Sequence, residues 1–167
     1  SVKGVNENCY FFNNLNDLKK LKLCLQKMQN NRIKKNLFVI GAGPSGVELA
    51  CKIKDIYKNK FDISIIERSN EVLSQNKIFN REEGEKALVR RKINLLLNST
   101  VQEISDQTIS ILNDSEVKYL DKDIVIWTAG IKPNLPYLNE KVKQVKGKIL
   151  VNEKFQIENF PNSFAIG

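Results

Sequence analysis

Residues 36–53 read NLFVIGAGPSGVELACKI. An apolar run, Leu37 to Ile40, leads into Gly41, Ala42, Gly43, Pro44, Ser45 and Gly46, and a helical pattern follows. The three glycines match G-x-G-x-x-G, and each has its own physical reason. The first permits a tight turn, the second lets an anion approach the backbone, and the third lets the helix pack closely on the strand. Pro44 suits the first helical turn, where a missing N–H costs nothing. The helix N-terminus then offers unpaired N–H groups and the positive end of its dipole. The Ser45 hydroxyl is placed to donate to a phosphate oxygen. This arrangement constrains the fold more than any other feature, because it requires a strand, a turn and a helix in that order.

The rest of the chain supplies the context. The spacing predicts a strand over 35–42, a helix over 44–58 with Val47, Ala50, Ile53 and Ile56 on one apolar face, and a second strand over 62–67. Together they make a strand–helix–strand unit of about 32 residues, the size of a βαβ crossover. Glu67 closes the second strand, 21 residues past Gly46. That is near the distance expected for a carboxylate accepting from an adenosine ribose. The loop therefore reads as a dinucleotide pyrophosphate cradle. A carboxylate repels a 2′-phosphate, so Glu67 favours NAD(H). Arg68 either stacks on the adenine or pairs with a 2′-phosphate, which keeps NADPH open as the weaker reading. Glu48 either pairs with Lys52 at i,i+4 or meets the nicotinamide end of the ligand, and the pattern does not separate these.

Upstream, Leu18, Leu21, Leu25 and Met28 recur at helical spacing and predict a helix over 14–30 with Asn14 as N-cap. Downstream, a helix is expected over 77–91. Gly84 inside it suggests close packing on a strand. A strand over 93–97 follows. Three short strands, 100–104, 108–112 and 116–120, are separated by turn residues at Asp106-Gln107 and Asn113-Asp114-Ser115, and predict an antiparallel meander. Another apolar strand runs over 123–128. Lys132-Pro133-Asn134 and Leu135-Pro136 read as irregular, and 147–151 and 163–166 as short strands with few partners. The expected class is α/β, a Rossmann-like domain with a central parallel sheet and an antiparallel β-meander. The expected division is a lead-in with an amphipathic helix (1–32), a dinucleotide-binding domain (33–130) and a return segment (131–167).

Composition removes other classes. The longest apolar runs fall far short of the roughly 20 residues that cross a bilayer, and the N-terminus lacks a secretory pattern, so an intracellular location is expected. Lys plus Arg number 27 against 19 Asp plus Glu, a formal charge of +8. Basic residues gather at Lys19, Lys20 and Lys22, at Arg32, Lys34 and Lys35, and at Arg90, Arg91 and Lys92. They are not interleaved with aromatics, and no nucleic-acid partner is expected. Lys-covered helix faces account for the charge, and peripheral membrane contact stays open. With no histidine, Ser–His and Cys–His catalysis and histidine metal sites are excluded. Cys9, Cys24 and Cys51 form no CxxC pair, so neither a metal site nor a redox disulfide is indicated.

VIGAGPSGVELA, IIERSNEVL, IVIWTAGIKPN, GKILVNEKFQ and NSFAIG, taken in order, resemble the flavoprotein oxidoreductases with two dinucleotide-binding domains. The resemblance is closest to type II NADH dehydrogenases, the single-subunit NADH:quinone oxidoreductases. It extends over nearly the whole chain, and GVELA and IWTAG are its most discriminating pieces. It implies an NAD(P)H-binding domain inserted into an FAD-binding domain, with NSFAIG approaching the second FAD motif. It implies that Gly41, Gly43, Ser45 and Gly46 hold the NADH pyrophosphate and Glu67 the ribose. It places Glu48 beside nicotinamide and flavin as the residue on the catalytic side. Thr128, Ala129 and Gly130 would line the nicotinamide through their backbone, with Trp127 in the core beside them. The implied reaction passes hydride from NADH to FAD and then electrons to a quinone. The parent protein would supply FAD and the quinone and membrane contacts, while this chain alone would bind NADH without turning over. A homodimer stays open. Two rival readings stand beside it: the NAD(P)H domain of a ferredoxin, rubredoxin or disulfide reductase, and a non-catalytic nucleotide-binding module.

Overall fold

The computed structural model describes residues 2–30, 33–130, 135, 140–145 and 147–166. Arg32, Lys132-Pro133-Asn134 and Pro136 lie outside the described residues. The chain divides into two compact units, which meet in sequence between Ala129 and Gly130.

The first unit opens with a short helix α1 (Val5–Asn8) and a two-residue strand β1 (Tyr10–Phe11). Helix α2 (Leu15–Met28) starts where expected, with the Asn14 side chain accepting from the N–H groups of Asn16 and Asp17, a cap worth about 1 kcal/mol. Strand β2 (Lys35–Ile40), helix α3 (Pro44–Tyr57) and strand β3 (Phe61–Ile66) form the crossover. Helix α4 (Ile78–Arg90) and strand β4 (Asn94–Leu96) follow. The meander β5 (Ser99–Ile104), β6 (Thr108–Asn113) and β7 (Glu116–Asp121) is antiparallel throughout. Strand β8 (Ile124–Trp127) then returns to the main sheet.

That sheet has the order β1-β8-β2-β3-β4, and all its pairs are parallel. Because successive side chains on a strand point to opposite faces, each strand feeds two cores. Leu37, Val39, Ile63, Ile65, Ile124 and Ile126 meet Leu21 and Leu25 of α2, Val47, Ala50 and Ile53 of α3, and Leu88 of α4. Phe38, Ile40, Ile66 and Val125 meet Val101, Ile104, Ile109 and Ile111 of the meander. The result is three layers: helices, parallel sheet, antiparallel sheet. The β2, β3 and β8 apolar runs are nearly continuous because both faces are covered.

Several details differ from the sequence reading. Ile56 is 57% exposed. An i+3 repeat drifts about 60° per step around a 3.6-residue helix, so by Ile56 the series begun at Val47 has left the buried face. Tyr57 covers that face instead, its ring edge-on to Phe61 with centroids 5.5 Å apart. Leu18, in the first turn of α2, is 41% exposed, and the buried stripe begins at Leu21. Gly84 does not pack on a strand. A Cβ there would lie 2.6 Å from Leu73 Cδ1 and 4.0 Å from Val47 Cγ1, so its neighbours are a loop and a helix. Strand β1 was not foreseen, since two residues carry no periodicity.

In the second unit, β9 (Gln144–Val145) and β10 (Lys148–Ile149) form one antiparallel pair, and β11 (Gln156–Ile157) and β12 (Phe160–Phe164) another. The expected strands at 147–151 and 163–166 thus pair locally, and the second begins three residues earlier than predicted. Among the described residues, no helix is long and apolar enough to cross a membrane, and no cluster of acidic or cysteine side chains could hold a metal ion.

Candidate functional site

The loop Gly41–Gly46 sits at the C-terminal ends of the parallel strands, where open α/β sheets bind ligands. Its backbone is held from several sides. Gly41 N–H donates to Ile66 O at 2.9 Å, Ala42 N–H to Glu67 Oε2 at 2.7 Å, and Leu73 N–H to Ala42 O at 2.9 Å. The loop is thereby stitched to the end of β3 and to the segment that follows it.

The three glycines differ in the space around them. Gly41 adopts φ +101°, and a Cβ there would lie 3.2 Å from Ala129. Gly46 is tighter still, for its Cβ would stand 2.0 Å from Gly41 O and 2.9 Å from Thr128 Oγ1. Around Gly43 there is open space, with nothing within 4 Å of the same position. Pro44 is the first residue of α3, and the first helical bond runs from Val47 N–H to Gly43 O at 3.0 Å. Among the described residues, the N–H groups of Gly43, Ser45 and Gly46 have no protein acceptor. The first turn of α3 also carries no acid. Three undonated amides, a helix dipole and open space at Gly43 suit an anion of pyrophosphate shape.

Glu67 stands at the mouth of this cradle, half-buried, with one carboxylate oxygen on Ala42 N–H and the other accepting from Ser69 N–H at 2.9 Å. A carboxylate oxygen has a second lone pair, so both can still accept from ribose hydroxyls. Arg68 is exposed, with no hydrogen bond or ion pair among the described residues. Glu48 is also exposed, and its i,i+4 pair with Lys52 does not form.

The end of β8 closes one side. The Thr128 hydroxyl donates to Ile40 O at 2.8 Å, a strut from β8 to β2 beneath the loop. Trp127 Nε1 donates to Ala129 O at 2.8 Å and fixes the direction of that carbonyl. Trp127 is half-buried against the meander-side core, in keeping with its expected place. Gly130 begins the second unit, exposed and at φ +76°. The structure therefore brings Gly41, Ala42, Gly46, Glu67, Thr128 and Ala129 together, with Gly43 and Ser45 on the open side.

Sequence reasoning did not identify Ser69, Leu73 or the Thr128 strut. Leu73 carries φ +52°, a conformation for which leucine gives no signal. Its side chain rests on Gly84, and the Arg81–Glu71 ion pair ties α4 to the same loop.

Over residues 1–167 the chain matches the pyridine nucleotide-disulphide oxidoreductase family. Demethylphylloquinone reductase NdbB of Synechocystis is 29% identical over 170 residues, which cover 100% of this chain and 42% of that protein. The alternative NAD(P)H-ubiquinone oxidoreductase C1 of Arabidopsis thaliana is 29% identical over 189 residues, 99% of this chain and 36% of that one. The chain thus spans well under half the length of these relatives. Among solved structures, NDH2 from Plasmodium falciparum in complex with NADH aligns with a TM-score of 0.66 and 26% identity, over 78% of this chain and 31% of that one. The water-forming NADH oxidase of Lactobacillus brevis bound to NADH shares the fold, with a TM-score of 0.74, 22% identity and coverage of 98% and 34%. With a match over residues 1–167 and a glycine loop that opens a helix at the end of a parallel sheet, this chain belongs to the pyridine nucleotide-disulphide oxidoreductase family.

Proposed function

We propose that this chain is the NADH-binding part of an FAD-dependent NADH:quinone oxidoreductase. The observation that carries the reading is the cradle itself: three N–H groups without acceptors among the described residues, beside open space at Gly43, with the Glu67 carboxylate at its mouth. Residues 33–130 form the dinucleotide-binding domain, 1–32 the lead-in, and 131–167 the return toward the FAD-binding part of the parent protein.

In this assignment Gly43, Ser45 and Gly46 donate to the pyrophosphate, while Gly41, Ala42 and Pro44 shape the turn that presents them. Glu67 accepts from the adenosine ribose, and Arg68 stacks on the adenine. Glu48 and the backbone of Thr128, Ala129 and Gly130 line the nicotinamide side. These groups bind and orient, and none has to move a proton. When bound by the parent protein, FAD supplies the hydride acceptor. The names of the aligned reductases support a quinone as the final acceptor. Quinones are lipid-soluble, so the intact protein is assigned peripherally to a membrane face.

The test is a titration of the chain with NADH, NADPH and FAD. One NADH per chain is expected, with NADPH at least about tenfold weaker, since placing a phosphate against a carboxylate costs 1.4 kcal/mol or more. Stoichiometric tight FAD binding, or no NADH binding, would overturn the assignment.

A further inference from the structure

The Glu67 carboxylate is committed before any ligand arrives. Its two oxygens accept from Ala42 N–H at 2.7 Å and Ser69 N–H at 2.9 Å. Ala42 belongs to the phosphate loop and Ser69 to the segment leaving β3. One side chain therefore bridges the two backbone stretches that form the mouth of the cradle.

The bridge has a fixed foundation. Glu67 N–H donates to Leu96 O and Glu67 O accepts from Ser99 N–H, both at 2.9 Å. Ser69 O accepts from Asn98 N–H at 3.1 Å. The backbone on both sides of the Glu67 side chain is thus bonded to the turn joining β4 and β5. The Glu67 Cα cannot retreat without breaking a ladder. The carboxylate cannot swing away without leaving Ala42 N–H, in a 2% exposed residue, to find another acceptor. A buried donor left unpaired is costly.

We propose that Glu67 is a positioning residue for the phosphate cradle. It holds Ala42, and through it the neighbouring N–H groups of Gly43, Ser45 and Gly46, in binding geometry, whether or not the ligand has a ribose hydroxyl to offer. This rests on the dinucleotide reading and deepens it. A residue that only recognises ribose acts on ligands with ribose hydroxyls. A residue that also holds the cradle acts on every ligand with a pyrophosphate. The same two anchors disfavour a 2′-phosphate, since making room for it means releasing the loop.

The experiment compares ADP with 2′,3′-dideoxy-ADP, binding each to the wild-type chain and to Glu67→Ala and Glu67→Gln. The expected result is that Glu67→Ala weakens dideoxy-ADP by about tenfold, the worth of one charge-assisted hydrogen bond, and ADP by more, since its ribose hydroxyls lose an acceptor as well. Glu67→Gln keeps one carbonyl acceptor and falls between. If Glu67→Ala weakens ADP but leaves dideoxy-ADP unchanged, Glu67 serves the ribose alone and the proposal is overturned. Amide hydrogen exchange at Ala42 gives a readout that needs no ligand. Protection lost at Ala42 but retained at Val39 in β2 supports the bridge, and unchanged protection at Ala42 overturns it. If the wild-type chain binds neither nucleotide nor NADH, the proposed function fails, while exchange at Ala42 still decides the bridge. Should Glu67→Ala not fold, Glu67→Gln carries both readouts.

Discussion

The two later glycines of the loop separate stability from binding, and one pair of substitutions reads that separation directly. In Gly46→Ala the new Cβ would stand 2.0 Å from Gly41 O and 2.9 Å from Thr128 Oγ1. A comfortable C···O contact is about 3.3 Å, so the backbones must part by roughly 1.3 Å. Gly41 cannot yield, because its N–H is bonded to Ile66 O and the next residue is held by Glu67 and Leu73. Helix α3 must move instead, and its Val47, Ala50 and Ile53 are 6%, 0% and 3% exposed. Overpacking of this kind costs about 1–3 kcal/mol, and the upper end applies because both partners are backbone. Replacing glycine within a helix returns up to about 1 kcal/mol, leaving a net loss of about 2 kcal/mol. With a urea m value near 2 kcal/mol/M, the midpoint falls by about 1 M. NADH affinity falls as well, because the helix carrying the N–H groups has shifted. In Gly43→Ala the Cβ meets nothing within 4 Å, and φ is −73°. Stability should change by no more than about 1 kcal/mol, the capping preference of glycine over alanine. Affinity should nevertheless drop at least about tenfold, because the methyl fills the space assigned to the pyrophosphate. The assays are urea unfolding by far-UV circular dichroism and NADH titration. A Gly46→Ala variant with wild-type midpoint and affinity, or a Gly43→Ala variant with wild-type affinity, would refute the reasoning.

Three further outcomes are expected. Asp55 is held below the usual carboxylate range chiefly by the hydrogen bond from Arg91, whose Nε and Nη2 reach its oxygens at 2.8 and 3.0 Å. Its contribution is complete above the unfolded value near 3.8 and disappears as pH falls through the lower folded value. Arg91→Ala should therefore weaken the acid dependence of unfolding below pH ~4, and an unaltered profile would contradict this. Burial pushes the Cys9 thiol up to about 12, so iodoacetamide at pH ~8 should label it only after unfolding, with rapid native labelling the contrary result. Trp127→Phe removes the donor that directs Ala129 O, and should weaken NADH severalfold while leaving ADP unchanged. An equal loss for both ligands would place the effect in the fold instead.

What could be read from the sequence follows from how local its causes are. Asn14 caps α2 through its own two neighbours, and G-x-G-x-x-G dictates a turn from residues that touch one another. The meander announced itself through its turns, where Asp114 and Ser115 take φ of 47° and 70°. The features missed depend on distant partners. Strand β1 exists because β8 offers an edge, pairing Tyr10 with Ile126. Leu73 holds a left-handed conformation because its N–H reaches Ala42 O and its side chain finds the space left by Gly84. Glu67 was legible as an acid at the right distance, but its two backbone partners were not, since neither Ala42 nor Ser69 differs in type from residues with free amides. Ile56 shows the opposite limit: the right residue type at nearly the right spacing, carried off the buried face by helix phase.

The position of β8 also bears on how the chain is made. In space β8 is an interior strand, between β1 and β2. In the chain it is the last strand of the sheet, and residue 124 leaves the ribosome well after residue 40. At 5–20 residues per second, the interval is roughly 4–17 s. During that time β2, with its Leu37-Phe38-Val39-Ile40 run, can pair with β3 on one side while its other edge stays open. An open apolar edge recruits strands from other chains. Translation speed between the codons for Ile40 and Trp127 is therefore a control on yield, and slowing it should raise the fraction of this protein lost to aggregation.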